Sequence, residues 1–137
     1  LVFWWDEQVS HYLIDSAKVG MCVGLSALER RSPAPVKLVG AREAGVLYAL
    51  GALAYGFIFF ADGVEGQTTP LLLPFSAAYL GWAVLRGRSD TLRTAGTPGS
   101  AVRRFFAAGA AVSLILFAIW GVWHRGFPEF SAVGLIP

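Results

Sequence analysis

The sequence predicts an all-α integral membrane protein, a small bundle of about four transmembrane helices of which the first is amphipathic. Three observations carry that prediction. First, the stretch 105–123, FFAAGAAVSLILFAIWGVW, has Ser113 as its only conventionally polar member. As a helix it would reach about 28 Å at roughly 1.5 Å of rise per residue, close to the hydrocarbon thickness of a bilayer. Second, 55% of the chain is apolar and only 15% is charged. That leaves too few charges to cover the surface of a soluble domain of this size. Third, nine of the eleven basic residues fall in two stretches, 29–43 and 86–104, that separate apolar runs.

The 137 residues read as a single multi-pass domain. Residues 1–8, LVFWWDEQ, put Trp4 and Trp5 beside Asp6 and Glu7, the pattern of an interfacial anchor or of an edge packed on another subunit. Residues 9–28 form the first expected span. His11, Asp15 and Lys18 interrupt it at i, i+4 and i+7, so they share one helical face, while Val9, Leu13, Gly20 and Ala27 lie opposite. Such a helix can span with its polar stripe against a protein neighbour, or lie in the interface. Spanning is favoured because 19–28 carries no charge and the topology then balances. Residues 29–43 are expected to be a basic loop, broken by Pro33 and Pro35.

Residues 44–61, eighteen without a charge, are the second expected span. Ala52 and Gly56 make a small-xxx-small pair, and Gly45 and Gly51 are further points of close approach. Tyr48 and Tyr55 share a face, and their hydroxyls need partners if buried. Residues 62–67 are expected to be a short polar turn that makes spans two and three antiparallel neighbours. The third span, 68–85, starts with Thr68 or Thr69 as cap and Pro70 at its first position. Pro74 is placed to kink its first turns. Ala77 and Gly81 form a second small pair. Residues 86–104 are the second basic loop. The fourth span, 105–123, offers Gly109 and Ser113 for close packing. The tail 124–137 is expected to be irregular, with Phe127, Phe130, Leu135 and Ile136 packed on something.

Four spans place both basic loops on one side and the termini and the 62–67 turn on the other. Only Arg125 is basic on the second side, which holds Asp6, Glu7, Asp62, Glu65 and Glu129. The positive-inside rule then puts the loops in the cytoplasm, stroma or matrix. The chain begins with Leu1, which fits a removed targeting segment and an organellar membrane, or an N-terminus that is not represented.

A formal charge of +2 without basic stripes argues against nucleic acid. Cys22 is the only cysteine, so these residues form no intrachain disulfide and no cysteine-based zinc site. No phosphate loop, Ser/His/Asp order or Cys/His pair is present in usable form.

Two constellations remain. His11 and His124 belong to the same membrane side, with Glu7 one turn before His11. Together they could hold a metal, or ligate the magnesium of a chlorophyll or the iron of a haem. The plainer alternative is two interfacial histidines bonded to water. Asp15 and Lys18, at i and i+3, can neutralise each other inside the membrane or mark an ion or proton path. The loop arginines read as topogenic charge, with anionic lipid or an acidic partner as the alternative. Ten Phe, five Trp and four Tyr suit packing and contact with lipid, carotenoid, chlorophyll, quinone or other subunits.

The expected role is a non-catalytic accessory subunit of a larger, energy-transducing membrane assembly, photosynthetic or respiratory. Its partners would be membrane lipids and other membrane subunits. A small membrane enzyme or metal protein using Glu7, His11 and His124 is the first alternative. A transporter or proton-path component using Asp15 and Lys18 is the second.

Overall fold

The computed structural model describes residues 4–31, 41–93 and 101–135. Among them the chain is all-α. A short π-helical segment, Trp4–Val9, leads into α1 (Ser10–Arg31), followed by α2 (Ala41–Glu65), α3 (Thr69–Arg93) and α4 (Ala101–His124). Two of these helices contain stretches long and apolar enough to cross a membrane, Gly45–Glu65 and Ala101–His124.

The helices outrun the expected spans at their ends. α1 continues to Arg31, where Arg30 and Arg31 meet the negative end of the helix dipole and Pro33 follows. α2 passes through Asp62 and ends at Glu65; Gly66 N still donates to Asp62 O at 2.8 Å, and Gln67, with φ 53°, turns the chain out of the helix. The expected 62–67 turn therefore shrinks to 66–68. α3 runs on to Arg93, since 86–93 contains no proline and a charged helix is stable once it leaves an apolar surround. Of the expected 29–43 and 86–104 loops, residues 32–40 and 94–100 lie outside the described residues.

Cross-helix contacts fix an up-down-up-down order. Gly51 meets Phe105, Gly56 meets Gly109 and Gly63 meets Phe117, so α2 and α4 run parallel. Gly63 approaches Leu72, and Phe59 lies tilted against Phe75 at 6.1 Å between ring centroids, so α2 and α3 run antiparallel. α4 is the central helix and packs on both α2 and α3. One end of the bundle gathers the start of α1, the α2–α3 turn and the C-terminal tail. The other gathers the end of α1 and the start of α4.

The core joins Phe59, Phe60, Val64, Leu72, Tyr79, Ala83, Phe106, Ala110, Phe117 and Cys22. Ala52 and Gly56 lie on the α2 face that meets α4. A Cβ at Gly56 would sit 2.5 Å from Gly109 O and 2.6 Å from Val112 Cβ. Gly109 lies under Tyr55, 3.0 Å from where its own Cβ would be. Ser113 Oγ is 3.0 Å from Ser76 Oγ, both fully buried between α3 and α4.

The Ala77–Gly81 pair behaves differently from that expectation. Both residues are exposed, and nothing comes within 4 Å of a Cβ at Gly81. The reason is the register of α3, whose inward face is taken by Leu72, Ser76, Tyr79 and Ala83.

Thr68 accepts backbone bonds from Leu71 and Leu72 through its carbonyl, at 2.9 and 3.0 Å, and so opens α3. Its hydroxyl does not cap the helix but points across to α1. Thr69 is the first helical residue and Pro70 the second, while Pro74 sits inside the helix. α4 closes with a bond from Gly126 N to Gly121 O at 3.0 Å around Arg125, whose φ is 54°. That is the six-to-one closure usually built on glycine. The tail then folds back. Trp120 Nε1 donates to Pro128 O at 3.1 Å, Phe130 N donates to Glu65 Oε2 at 2.8 Å, and Phe130 packs edge-on to Trp120.

Candidate functional site

The polar stripe on α1 is longer than three residues. His11, Asp15, Lys18, Cys22, Ser26 and Glu29 recur at three- and four-residue steps, so one face of the helix carries them all. Asp15, Cys22 and Ser26 are each only 1% exposed. The face turns inward, and its side chains find partners on α2, on α3 and on α4.

At the first level, Asp15 Oδ1 accepts from Lys18 Nζ at 3.0 Å. Lys18 Nζ also donates to Asp62 Oδ2, and Thr68 Oγ1 donates to Asp15 Oδ2. The last turn of α2 and the start of α3 are thereby tied to α1 through one ammonium and two carboxylates. Thr69 Oγ1 closes the same corner by donating to Gly63 O at 2.7 Å. One turn further, Cys22 Sγ and Tyr55 Oη share a hydrogen at 2.7 Å. The next turn brings Ser26 Oγ to Tyr79 Oη at 2.5 Å and to Cys22 O at 2.7 Å. At the far end the Glu29 carboxylate accepts from Val102 N at 3.1 Å and from Arg103 N at 3.4 Å. A carboxylate at this place offsets the positive end of the α4 dipole and takes up two of its unpaired N–H groups. Among the described residues no buried side-chain nitrogen or oxygen lacks a partner.

No protein-family model, curated protein or solved structure matches this chain.

The column opens at the α1 N-terminal end into a polar recess of about 240 Å³. His11 lies there against Gly66, whose missing Cβ would fall 2.8 Å from the imidazole Nδ1. Gln8 donates to Gln67 Oε1 at 3.1 Å, Gln67 Nε2 donates to Glu129, and Ser131 Oγ lies 3.3 Å from Glu129 Oε2.

His124 has different surroundings, with its ring tilted against the Trp120 indole at 4.0 Å between centroids. The recess that holds His11 does not include it. The side chain of Glu7 lies outside the described residues. Among the described residues no three His, Cys, Asp or Glu side chains come together as metal ligands.

Asp15 and Lys18 do meet, as their spacing allows. Sequence reasoning missed Asp62, which it placed in a turn; as the last turn of α2, that segment reaches back to Lys18. It also missed Cys22, Ser26 and Glu29, although they continue the spacing of His11, Asp15 and Lys18. Tyr55 was expected to need a hydroxyl partner, and Cys22 supplies it.

Proposed function

We propose that this chain is a non-catalytic subunit of a larger membrane assembly and that all four helices cross the bilayer. Inverted polarity along α1 carries the proposal. Its inward face holds Asp15, Cys22 and Ser26, while Leu13, Ile14, Met21, Val23, Leu25 and Leu28 stand exposed. In water that arrangement forgoes about 1.5–3 kcal/mol for each large apolar side chain left outside. In a bilayer it is the favourable one, because hydrocarbon wets the outer face and buried polar groups must bond within the protein.

The other helices support the same conclusion. Only 22% and 28% of the two most apolar stretches is buried. The core helix of a water-soluble fold is mostly buried. Val46, Leu47, Leu50, Leu53, Phe57 and Ile58 of α2, Val84 and Leu85 of α3, and Ile115, Ile119 and Val122 of α4 face outward. The basic ends gather where α1 stops and α4 starts, and the positive-inside rule supports the reading that this end faces the cytoplasm, stroma or matrix. Gly20, Gly24, Ala77 and Gly81 are exposed small residues within the helices, so a neighbouring subunit's helix could approach closely. The column's hydroxyls and carboxylates are taken up in bonds between helices, which suits a subunit better than an enzyme.

Single cysteines introduced at Gln67 and Arg30 in a Cys22→Ala background test the topology. Membrane-impermeant maleimide should label them from opposite sides of sealed membranes. Labelling of both from one side removes the four-span arrangement. Native purification in mild detergent tests the second part. The chain should be recovered at fixed stoichiometry with the same larger subunits, whereas a pure, monodisperse monomer would refute the subunit role.

A further inference from the structure

We propose that the groove between the start of α3 and the C-terminal tail binds a phospholipid with a primary ammonium headgroup. The proposal rests on the reading that this end of the bundle lies at a membrane surface. Three observations lead to it.

The first is the shape of the space. A cavity of about 700 Å³ opens between α3 and the tail, within the roughly 300–1,000 Å³ of small-molecule sites. Its apolar walls are Pro70, Leu73 and Pro74 on one side and Phe127, Pro128 and Ala132 on the other. The three prolines have a fixed φ and almost no side-chain freedom, so much of this wall is set before anything binds and little ordering is needed. An apolar wall one turn below the membrane surface takes the upper carbons of an acyl chain.

The second is the adjoining polar recess around His11. Gln67 and Glu129 line both spaces, so the bond between their side chains marks the border of an apolar compartment and a polar one. A molecule that fills both is an amphiphile, with its head at Glu129 and its body along Pro74 and Phe127.

The third is charge. Glu65 and Glu129 line the polar recess, and no lysine or arginine lines either space. Among the described residues both carboxylates take neutral donors alone: Phe130 N at 2.8 Å for Glu65, and Gln67 and Ser131 for Glu129. Pro74 has no N–H to give the Pro70 carbonyl one turn before it, so the backbone of the apolar wall is also short of a donor.

A headgroup that completes this site brings N–H donors and positive charge. A primary ammonium carries three donors, and a carboxylate has room for more bonds than Glu129 already accepts. A quaternary ammonium carries no donor and is held by several aromatic faces, whereas Phe127 is the only phenyl, phenol or indole ring lining either space. An anionic headgroup meets two carboxylates. The phosphate of the bound lipid, with no basic partner in either recess, stays in the headgroup layer. The site therefore selects an ethanolamine headgroup over choline or glycerol on the same chains.

The full chain in mild detergent, titrated with dioctanoyl phosphatidylethanolamine, phosphatidylcholine and phosphatidylglycerol, tests this by native mass spectrometry. The ethanolamine lipid should bind about tenfold more tightly than the choline lipid, the worth of one charge-assisted hydrogen bond, with the glycerol lipid weakest. In Glu129→Gln that preference should fall below about twofold, and Leu73→Trp, which fills the apolar wall, should weaken all three lipids alike. Gly81→Ala, outside the groove, should behave as the parent chain. Equal affinity for the ethanolamine and choline lipids would overturn the proposal. So would a preference that survives Glu129→Gln, or tightest binding of the glycerol lipid. Circular dichroism and elution volume identify a variant that has failed to fold, and the comparison of lipids on the parent chain decides the matter without it. Maleimide labelling separates the two levels. With Gln67 and Arg30 on opposite sides and no headgroup preference, only the lipid site falls; with both on one side, the spanning arrangement falls with it.

Discussion

Lys18 is the residue on which the α1–α2 corner depends. It bridges a fully buried carboxylate and a partly exposed one. Those two environments assign different weights to its partners. Lys18→Met leaves Asp15 charged and buried without its counter-ion, a loss of about 3–5 kcal/mol for a broken buried pair. Asp62→Asn removes a carboxylate that is 33% exposed and leaves the Lys18–Asp15 bond in place. Its cost should be nearer the 0.2–1 kcal/mol of an exposed pair, about. Unfolding of the two variants in the same detergent, followed by circular dichroism, measures the difference. Equal losses would mean that Asp62, not Asp15, is the dominant partner of Lys18.

Among the helices, the decisive contact is between α2 and α4, where backbone meets backbone. Gly56→Ala places a methyl against Gly109 O and Val112, neither of which is the free end of a flexible side chain. The helices must separate, at about 1–3 kcal/mol for overpacking. Gly81→Ala meets nothing. It should be neutral or gain up to about 1 kcal/mol from helix propensity. Thermal melting of both variants checks the contrast, and a loss at Gly81 comparable to that at Gly56 would show that the outer face of α3 is occupied in the protein tested.

The two small pairs also show what was legible in the sequence. Ala52–Gly56 and Ala77–Gly81 have the same spacing and the same neighbours in composition. Only the register of each helix against α4 separates them, and register depends on residues far away in the chain. Helix existence was legible because long uncharged runs have one stable form in an apolar solvent. Helix ends were less so: Asp62 and Glu65 look like a turn by polarity, yet helical geometry tolerates them until Gln67 turns left-handed. The polar stripe could be read as far as Lys18, where charge makes it visible. Cys22 and Ser26 continue it without charge and so pass for ordinary span residues. Their partners Tyr55 and Tyr79 are 33 and 53 residues away, beyond any local pattern.

Taken whole, the molecule presents an apolar exterior around a polar seam. In lipid its outer tryptophans should report that surface. Trp123 is 80% exposed, whereas Trp120 is covered by His124 and Phe130. Two chains, each keeping only one of these tryptophans, can be placed in vesicles containing brominated lipid. Fluorescence should be quenched strongly for Trp123 and weakly for Trp120. Equal, weak quenching would place Trp123 against protein rather than lipid. The tail matters at this scale too. Its bond from Phe130 N to Glu65 and the Trp120 Nε1 bond to Pro128 O hold it against the end of the bundle where α1 starts.

The Glu29 contact has a consequence for how the molecule is made. The residue that caps α4 is synthesised more than seventy positions before the backbone it binds, Val102 N. While the nascent chain holds only its first three helices, Glu29 has no helix terminus to cap, and the cleft beside Gly56 has no Gly109 to fill it. The bonds of α1 to α2 and α3 need no α4, so it is the Glu29 cap and the Gly56 groove that wait for the last helix. A chain arrested before residue 101 would leave that carboxylate and a bare glycine groove unfilled.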